Sequence, residues 1–414
     1  MIFRHQHAFQ GLLTILGHLL PVHGLQLSLL DKSDVQCSRG DLNQLVLSKY
    51  TFNSCPIPAE DSALGNTSLS LPWTHPRQCV DAAHGPEDQF CAYTAATSGP
   101  YGVSVVAVPE HAAHFAGFVA DTYQHALQDT PYNVVEIPGK GRGVVATRLI
   151  KKDEPILADY AILVVDSRVM LSLTEEDSNA LLRLATDRLA KPHRVYDGAR
   201  AHPEHDIVLD VLATNAFSLD VENESYYRLF PEIALMNHDC TPNARPRFSP
   251  RNFGALVTAN RDIQAGEEIT ITYLAPGIPF YERRSRMKNW GFECSCNKCT
   301  ASRSEIRASD ERTRHIEKQL ATLDSLVETG DLFKTVAVMR ELMAACDQEG
   351  AEEPKIKIYE TLQDVFMGLG KLDQAKLYAK KAIHLMVLTG LIDERDEEAT
   401  VVSEWAALDD QYGK

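Results

Sequence analysis

The sequence predicts a mainly β domain that contains a helical insertion and is followed by an α-helical C-terminal domain. Two patterns carry this prediction. Short β-rich runs separated by Gly, Pro and Asp turns recur between residues 132 and 276, and helix-forming residues dominate from 301 to 414. The length of 414 residues also exceeds that of a single typical core, so we expect two or three structural units.

The overall composition is that of an acidic globular protein. Hydrophobic residues make up 44% and charged residues 24% of the chain, as is usual for globular proteins. The net charge is -16, and phosphate binding requires a basic surface. We therefore expect no direct nucleic-acid partner, whereas an acidic surface would attract basic partners.

Residues 1–24 show the order of features that is typical of a cleavable signal peptide. Arg4 lies near the start, an apolar stretch runs from Phe9 to Val22, and the small Gly24 offers a cleavage point. The stretch is interrupted and too short to span a bilayer, so we expect no transmembrane segment here. An amphipathic or buried N-terminal helix is the alternative interpretation.

The region 25–131 contains four cysteines in Pro-, Ser- and Asn-rich sequence. Their even number favours two disulfides and an oxidising compartment, and four unpaired thiols in a loosely ordered extension are the alternative. Further along, the apolar run 102–108 predicts a buried strand, and Pro109 opens a helical pattern over 109–128. The four cysteines are Cys37, Cys55, Cys79 and Cys91.

The β-rich region 132–276 is interrupted at about 174–230 by a mostly helical insertion, which contains no cysteine. Four short elements carry the candidate chemistry. The first, "GKGRGVVA", is a glycine-rich turn between two predicted strands and contains Gly141, Arg142 and Gly143. A plain hairpin explains such a turn, but the missing Cβ atoms would also let a ligand approach the backbone closely.

The second and third elements place polar side chains beside apolar runs. In "ALMNHDCTPNARPRF", Asn237, His238 and Cys240 occupy four positions directly after an apolar run. In "AGEEITITY", a turn leads into an alternating strand that ends on Tyr273. A tyrosine at a strand end is more often a packing residue than a catalytic one, so the residues alone leave both roles open.

The fourth element, "WGFECSCNKC", places Cys294, Cys296 and Cys299 within six positions. Three thiols cannot all pair with one another, and clusters with this spacing usually bind a metal ion. A structural zinc ion requires four ligands. The fourth ligand must come from elsewhere in the chain, and Cys346 lies in a helical pattern without a neighbouring ligand.

The order of the four elements resembles that of the SET-domain protein lysine methyltransferases. The family motifs G-x-G, N-H-x-C-x-P-N, G-E-E-I-T-x-x-Y and C-x-C-x-x-C match residues 141–143, 237–243, 266–273 and 294–299. Four motifs in order are far more specific than any one alone, and the resemblance covers about 132–300. It is nearest to the SET and MYND subgroup, and to SET domain-containing proteins of the fungal type, although the MYND zinc finger has no counterpart here.

The resemblance implies a SET fold, S-adenosylmethionine as the cofactor and a zinc ion bound by a post-SET segment at 277–300. Cys240 is the implied fourth zinc ligand, beside Cys294, Cys296 and Cys299. Tyr273 is the implied catalytic residue, whose hydroxyl orients the acceptor amine. The implied cofactor-binding residues are Gly141, Arg142, Gly143, Asn215, Asn237, His238 and Phe292. Asp239 departs from the family, which usually has serine there, and this leaves the substrate side of the pocket open.

The implied function is methyl transfer from S-adenosylmethionine to a lysine side chain of a protein substrate, and a basic substrate would suit the acidic chain. The alternative is a catalytically silent SET protein that serves as a binding or scaffold module. The presence of Tyr273, Asn237 and His238 favours the enzyme. The family resemblance implies the nucleus or cytoplasm, whereas the N-terminal features favour secretory entry, so the compartment is open.

The tail at 301–414 has a helical pattern with repeat-like features. Residues 359–386 resemble a tetratricopeptide unit, with two amphipathic helices joined at Gly368–Lys371 and alanines where the helices pack. An ordinary helical bundle is the alternative, because fewer than three clear repeats are present.

Overall fold

The computed structural model describes residues 71–82, 89–121, 127, 129–221, 224–275, 277–328 and 330–412, which belong to one compact unit. The predicted signal peptide, Cys37 and Cys55 lie outside the described residues. No helix among the described residues is both long enough and apolar enough to cross a membrane. The prediction of a β-rich domain followed by a helical C-terminal region is confirmed.

The strands lie mainly between residues 78 and 271. They are β1 (Gln78–Asp81), β2 (Gln89–Ala95), β3 (Val103–Ala107), β4 (Tyr132–Ile137), β5 (Gly141–Ala146), β6 (Pro155–Tyr160), β7 (Leu163–Asp166), β8 (Phe217–Val221), β9 (Glu224–Leu229), β10 (Asn237–His238), β11 (Ala244–Phe248), β12 (Gly254–Ala259) and β13 (Glu268–Ile271).

The α-helices lie mainly in the insertion and the C-terminal region. They are α1 (Ala112–Ala120), α2 (Val169–Ser172), α3 (Glu175–Asp187), α4 (His193–Tyr196), α5 (Ile207–Asn215), α6 (Phe280–Met287), α7 (Asn297–Thr300), α8 (Arg303–Leu320), α9 (Leu323–Glu328), α10 (Leu332–Glu349), α11 (Pro354–Gly368), α12 (Leu372–Leu388) and α13 (Glu397–Tyr412).

A six-stranded sheet has the order β1-β2-β3-β7-β9-β8. The run "VSVVA" of β3 is buried at every position, as expected for a central strand covered on both faces. Cys79 and Cys91 lie opposite each other in the β1–β2 pair and form a disulfide. The last part of the predicted N-terminal cysteine region is therefore built into the same sheet as β7 and β9.

A four-stranded sheet, ordered β10-β13-β5-β4, brings three of the sequence motifs together. β4 and β5 form the hairpin predicted around the glycine-rich turn, with Ile137 paired to Gly141. β13 pairs with β5 on one side and runs parallel to β10 on the other, which places Asn237 beside Thr270 and His238 beside Ile271. The remaining strands form a three-stranded sheet, ordered β11-β12-β6.

The predicted helical insertion at about 174–230 is wrong in its last part. Its helices end at Asn215, and β8 and β9 then form an antiparallel hairpin. The segment 224–229, "ESYYRL", is rich in aromatic residues and pairs with β7, so sheet formation satisfies its backbone groups and buries Tyr226. The predicted helix over 109–128 is also shorter than expected, because α1 ends at Ala120; residues 122–126 and 128 lie outside the described residues.

The C-terminal helices have a core of their own, which includes Leu342, Cys346 and Ile358. Helices α11 and α12 coincide with the predicted pair at 359–386, and Phe366 stacks on Tyr378 with ring centroids 5.4 Å apart. The first helix after the cysteine motif, α8, begins with a capping box between Ser302 and Glu305. Whether the helices form a tetratricopeptide array or an ordinary bundle stays a prediction.

The C-terminal helices also pack on the β domain through ion pairs. Arg247 and Arg251, at the β11–β12 hairpin, pair with Glu394 and Asp396 respectively. A cavity of about 170 Å³ lies at this junction, between β6, the hairpin and residues 387–394. None of the site residues predicted from the sequence lines this cavity.

Candidate cofactor and metal site

The four cysteines predicted to bind zinc converge in the structure. Their Sγ atoms all lie within 4.8 Å of one another, with Cys240 Sγ 3.5 Å from Cys299 Sγ and 3.9 Å from Cys294 Sγ. Sulfurs around a tetrahedral zinc ion lie about 3.8 Å apart, because each Zn–S bond is about 2.3 Å long. The spacing therefore fits a zinc ion, and it is far longer than the roughly 2.05 Å of a disulfide bond.

Two chain segments supply these sulfurs. Cys240 follows β10 by two residues, and the backbone N–H of Asp239 donates to the carbonyl of Ile271, so the sheet fixes its position. Cys296 precedes the single turn of α7, and its carbonyl accepts the backbone N–H of Cys299. The turn directs both sulfurs toward Cys240.

Hydrogen bonds among the four thiols shift their pKa values in opposite directions. Hydrogen bonds from neighbouring thiols, that of Cys240 first, hold the pKa of Cys296 well below its ordinary value. Hydrogen bonds from Cys240 and then Cys294 lower the pKa of Cys299 to about 7. The pKa of Cys240 is raised by hydrogen bonding to the other three thiols. Thiolates this close repel each other, so full deprotonation requires a metal ion to neutralise them.

His238 links the sulfur cluster to the end of β13. Its Nδ1 accepts the backbone N–H of Tyr273 at 3.0 Å, and because an N–H group can only donate, Nδ1 carries no proton. Burial lowers the pKa of His238 to about 4, so the ring is neutral at pH 7 and its proton lies on Nε2. Nε2 donates to Cys240 Sγ at 3.2 Å. Both ring nitrogens are therefore used within the protein.

Asn237 presents one free acceptor beside the glycine-rich turn. Its amide nitrogen donates to the carbonyl of Arg142 at 3.2 Å and to Glu268 Oε1 at 2.9 Å, which leaves Oδ1 directed elsewhere. Lys140 pairs with the other oxygen of Glu268 at 2.6 Å. A Cβ atom on Gly143 would lie 2.7 Å from the Asn237 amide nitrogen and 2.6 Å from Ile137 Cγ1. Glycine is required here because the Asn237 side chain occupies that space.

Tyr273 lies two residues beyond the end of β13, in an aromatic group. Its hydroxyl donates to the carbonyl of Met236 at 2.8 Å, and its ring centroid is 5.3 Å from that of His238 and 5.6 Å from that of Trp290. Burial, with a smaller contribution from the charge of Glu268, raises the pKa of Tyr273 above its ordinary value. The hydroxyl is therefore protonated at neutral pH and acts as a donor, not as a base.

Phe292 and Asn215 have different surroundings. The Phe292 ring is 6.4 Å from His238, and the residue keeps 36% of its surface exposed, so a planar ligand can stack on it. Asn215 uses its amide nitrogen to donate to the carbonyls of Ala199 and Val211. It closes the end of α5 and positions the loop whose Asp197 carbonyl accepts from Arg142.

Two residues of this site received no role from the sequence. Trp290 donates its Nε1 proton to the carbonyl of Thr214 at 2.8 Å and so joins the end of the insertion to the tyrosine. Glu268 orients the Asn237 amide. Both residues belong to motifs quoted above. Their hydrogen-bond partners come from distant segments of the chain, so only the structure identifies them.

The stretch that carries the candidate site matches a known domain family. Residues 141–274 match the family model described as "SET domain", and three strands of the four-stranded sheet (β5, β10 and β13), the Asn237–His238 pair and Tyr273 belong to that stretch. Residues 141–274 thus match a SET domain, as the motif order predicted, and the chain is similar to lysine methyltransferases of the SET5 and SMYD type.

The similar proteins come from several kingdoms. The chain is 32% identical over 195 residues to histone-lysine N-methyltransferase set5 of Schizosaccharomyces pombe, which is 47% of this chain and 57% of the relative. It is 27% identical over 225 residues to histone-lysine N-methyltransferase SMYD3 of Homo sapiens, covering 51% of each. Against N-lysine methyltransferase SMYD2-B of Danio rerio, identity is 30% over 149 residues, or 34% of each. The chain thus spans about half the length, or less, of these relatives.

Gly143→Ala tests the close contact between the hairpin and Asn237. The added methyl group would overlap Ile137 and the hydrogen-bonded Asn237 amide, so we expect the free energy of unfolding to fall by about 1–3 kcal/mol. Gly117→Ala is the matched control, since it lies in α1 with no atom within 4 Å of the new Cβ and should stabilise the helix by roughly 0.5–1 kcal/mol. Chemical denaturation measures both changes. Equal effects of the two substitutions would contradict the proposed close contact.

Proposed function

We propose that this chain transfers a methyl group from S-adenosylmethionine to the side chain of a lysine in a protein substrate. The observation that carries the proposal is the position of Tyr273, whose ring packs against His238 and Trp290 at the junction of the three SET motifs. The names of the relatives, histone-lysine N-methyltransferase and N-lysine methyltransferase, support it. No observation on the described residues favours a silent scaffold, which is the alternative.

The residues around Asn237 fit the cofactor. When bound, S-adenosylmethionine supplies an electrophilic methyl group on a sulfonium centre. Its ammonium group needs acceptors, and Asn237 offers Oδ1, because its amide nitrogen is held by the carbonyl of Arg142 and by Glu268 Oε1. Backbone at Gly141 and Gly143 carries no Cβ and can lie close to the ligand. The half-exposed ring of Phe292 suits stacking on an adenine.

His238 and Asn215 have indirect roles in this proposal. Both ring nitrogens of His238 form hydrogen bonds within the protein. The ring therefore contributes its apolar face to the pocket wall and forms no hydrogen bond to the cofactor. Asn215 holds the loop against which Arg142 rests. Its own remaining acceptor is Oδ1.

Tyr273 orients the acceptor amine and does not deprotonate it. A lysine ammonium has an ordinary pKa of about 10.4, and only the free amine attacks the methyl group. The aromatic rings of His238, Tyr273 and Trp290 form an apolar wall that lowers the pKa of a lysine inserted against them by desolvation. The protonated Tyr273 hydroxyl can then exchange its bond to the Met236 carbonyl for contact with the reacting groups.

The sulfur cluster completes the proposal as a zinc site. A zinc ion held by Cys240 and the three post-SET cysteines would join the segment of Asn237 and His238 to that of Phe292. Both walls of the cofactor pocket would then have fixed positions.

The protein substrate is proposed to be basic. The net charge of -16 favours association with lysine- and arginine-rich proteins, and several relatives are named histone-lysine N-methyltransferases. Secretory entry and a nuclear or cytoplasmic location both stay predictions. The Cys79–Cys91 disulfide supports secretory entry, whereas the four unpaired thiols of the cluster support reducing surroundings or a bound metal.

Tyr273→Phe tests the catalytic assignment, because it removes one hydroxyl and keeps the ring. We expect the rate of methyl transfer to histones or to a total protein extract to fall by about 100-fold or more, with the dissociation constant for S-adenosylmethionine nearly unchanged. Radiolabelled cofactor measures transfer, and calorimetry measures binding. Tyr281→Phe is the control, since Tyr281 is 82% exposed. An unchanged rate would reject the role of Tyr273, and a parallel loss of rate and binding would make it structural. Wild-type protein inactive on both substrates would support the scaffold alternative.

Cys240→Ser tests the zinc assignment. A serine hydroxyl stays protonated and binds zinc poorly, so we expect less than one zinc ion per chain and weaker binding of S-adenosylmethionine, although no cofactor contact is changed. Elemental analysis and calorimetry on purified protein measure the two effects. Cys346→Ser is the matched control, because Cys346 is a buried thiol of the helical core outside the cluster. Full zinc content in the Cys240 variant, or none in the wild type, would defeat the assignment.

A further inference from the structure

Glu349 is a buried carboxylate in an unfavourable electrostatic position. It is the last residue of α10, where the helix dipole disfavours negative charge, and its side chain is only 5% exposed. Three donors surround it at 2.7 Å each: Lys298 Nζ, Ser309 Oγ and Arg312 Nε. Burial of the charge and its position at the end of the helix both cost free energy, and only these three partners offset that cost. A glutamate at this position therefore does not stabilise α10 by itself.

The partners of Glu349 belong to the metal segment and to the helix that follows it. Lys298 stands between the proposed ligands Cys296 and Cys299 on α7. Ser309 and Arg312 lie on α8. The carboxylate therefore joins α7, α8 and α10 at one point.

The end of the same helix also meets the segment that carries Cys240. Gly350 follows Glu349 with a φ of +66°, and a Cβ atom on it would lie 3.7 Å from Thr241 Cγ2. Thr241 is the residue directly after Cys240. The C-terminus of α10 is thus adjacent to both segments that supply sulfurs.

The charge on Glu349 persists at neutral pH. Burial alone would raise its pKa, but the hydrogen bonds from Lys298 and Ser309, with the charge of Lys298, outweigh burial and lower the pKa below its ordinary value. Lys298 and Arg312 therefore face an ionised carboxylate, and charge-assisted bonds of this kind are the stronger ones.

We infer that Glu349 is a positioning residue of the metal and cofactor site: it binds Lys298 and sets the end of α10 against Thr241, which fixes both cysteine-bearing segments. The inference rests on the proposed function, since it takes the sulfur cluster to hold zinc. It assigns the C-terminal helices a part in cofactor binding through the metal segment.

Glu349→Gln and Lys298→Met test this inference in the full chain. Glutamine keeps the size of Glu349 and loses its charge, so we expect zinc transfer to an excess of chromogenic chelator to quicken by about 10-fold, the lower range for loss of a group that supports metal ligands. The dissociation constant for S-adenosylmethionine should rise as well. The double variant should release zinc no faster than the faster single variant, because both substitutions remove one contact.

Two controls separate positioning from general stability. Glu341→Gln removes an exposed glutamate from the same helix and should leave zinc release unchanged. Met339→Ala opens the buried core of α10 ten residues before Glu349, about 15 Å along the axis, and lowers the melting temperature without touching Lys298. Slow, wild-type-like zinc release from this variant would support the inference.

Three results would overturn the inference. Equal acceleration by Met339→Ala at a matched loss of melting temperature would make the effect one of stability. Unchanged release from Glu349→Gln in zinc-loaded protein would reject the role of Glu349 alone and leave the zinc assignment intact. A wild-type chain without zinc would remove both the zinc assignment and this inference.

Discussion

The convergence of four sulfurs is the constraint on which the rest of the site depends. Cys240 lies more than fifty residues before Cys294 in the chain, yet their Sγ atoms are 3.9 Å apart. From this cluster a chain of hydrogen bonds runs through the neutral ring of His238 to the backbone of Tyr273. A change in the cluster therefore reaches the tyrosine without any direct contact between them.

Sheet pairing supplies the second half of the site. The parallel pair β10–β13 and the antiparallel pair β5–β13 align Asn237 with the glycine-rich hairpin, and the missing Cβ of Gly143 admits the Asn237 amide. Backbone hydrogen bonds set these positions to a fraction of an ångström, so the polar groups do not have to be ordered when a ligand binds. The site is thus built from rigid elements, as precise transfer chemistry requires.

The sequence predicted most of the local elements, whereas it did not show most of the long-range contacts. Strands 132–137 and 254–259 and the grouping of Cys294, Cys296 and Cys299 could be found because periodicity, turn residues and motif spacing are local properties. Cys240 was assigned to the cluster only through the family resemblance. The β8–β9 hairpin was missed because its strand character depends on pairing with β7. Glu268 and Glu349 were missed for the same reason. From sequence alone a glutamate is expected to be exposed to solvent, and the partners of these two come from segments far away in the chain.

The metal environment of the purified chain, measured by X-ray absorption at the zinc edge, tests the four-sulfur site most directly. We predict one zinc ion per chain with a single shell of four sulfur scatterers at about 2.3 Å. A shell that contains nitrogen or oxygen ligands, or a chain without zinc in which Cys240 is bound in a disulfide, would contradict it.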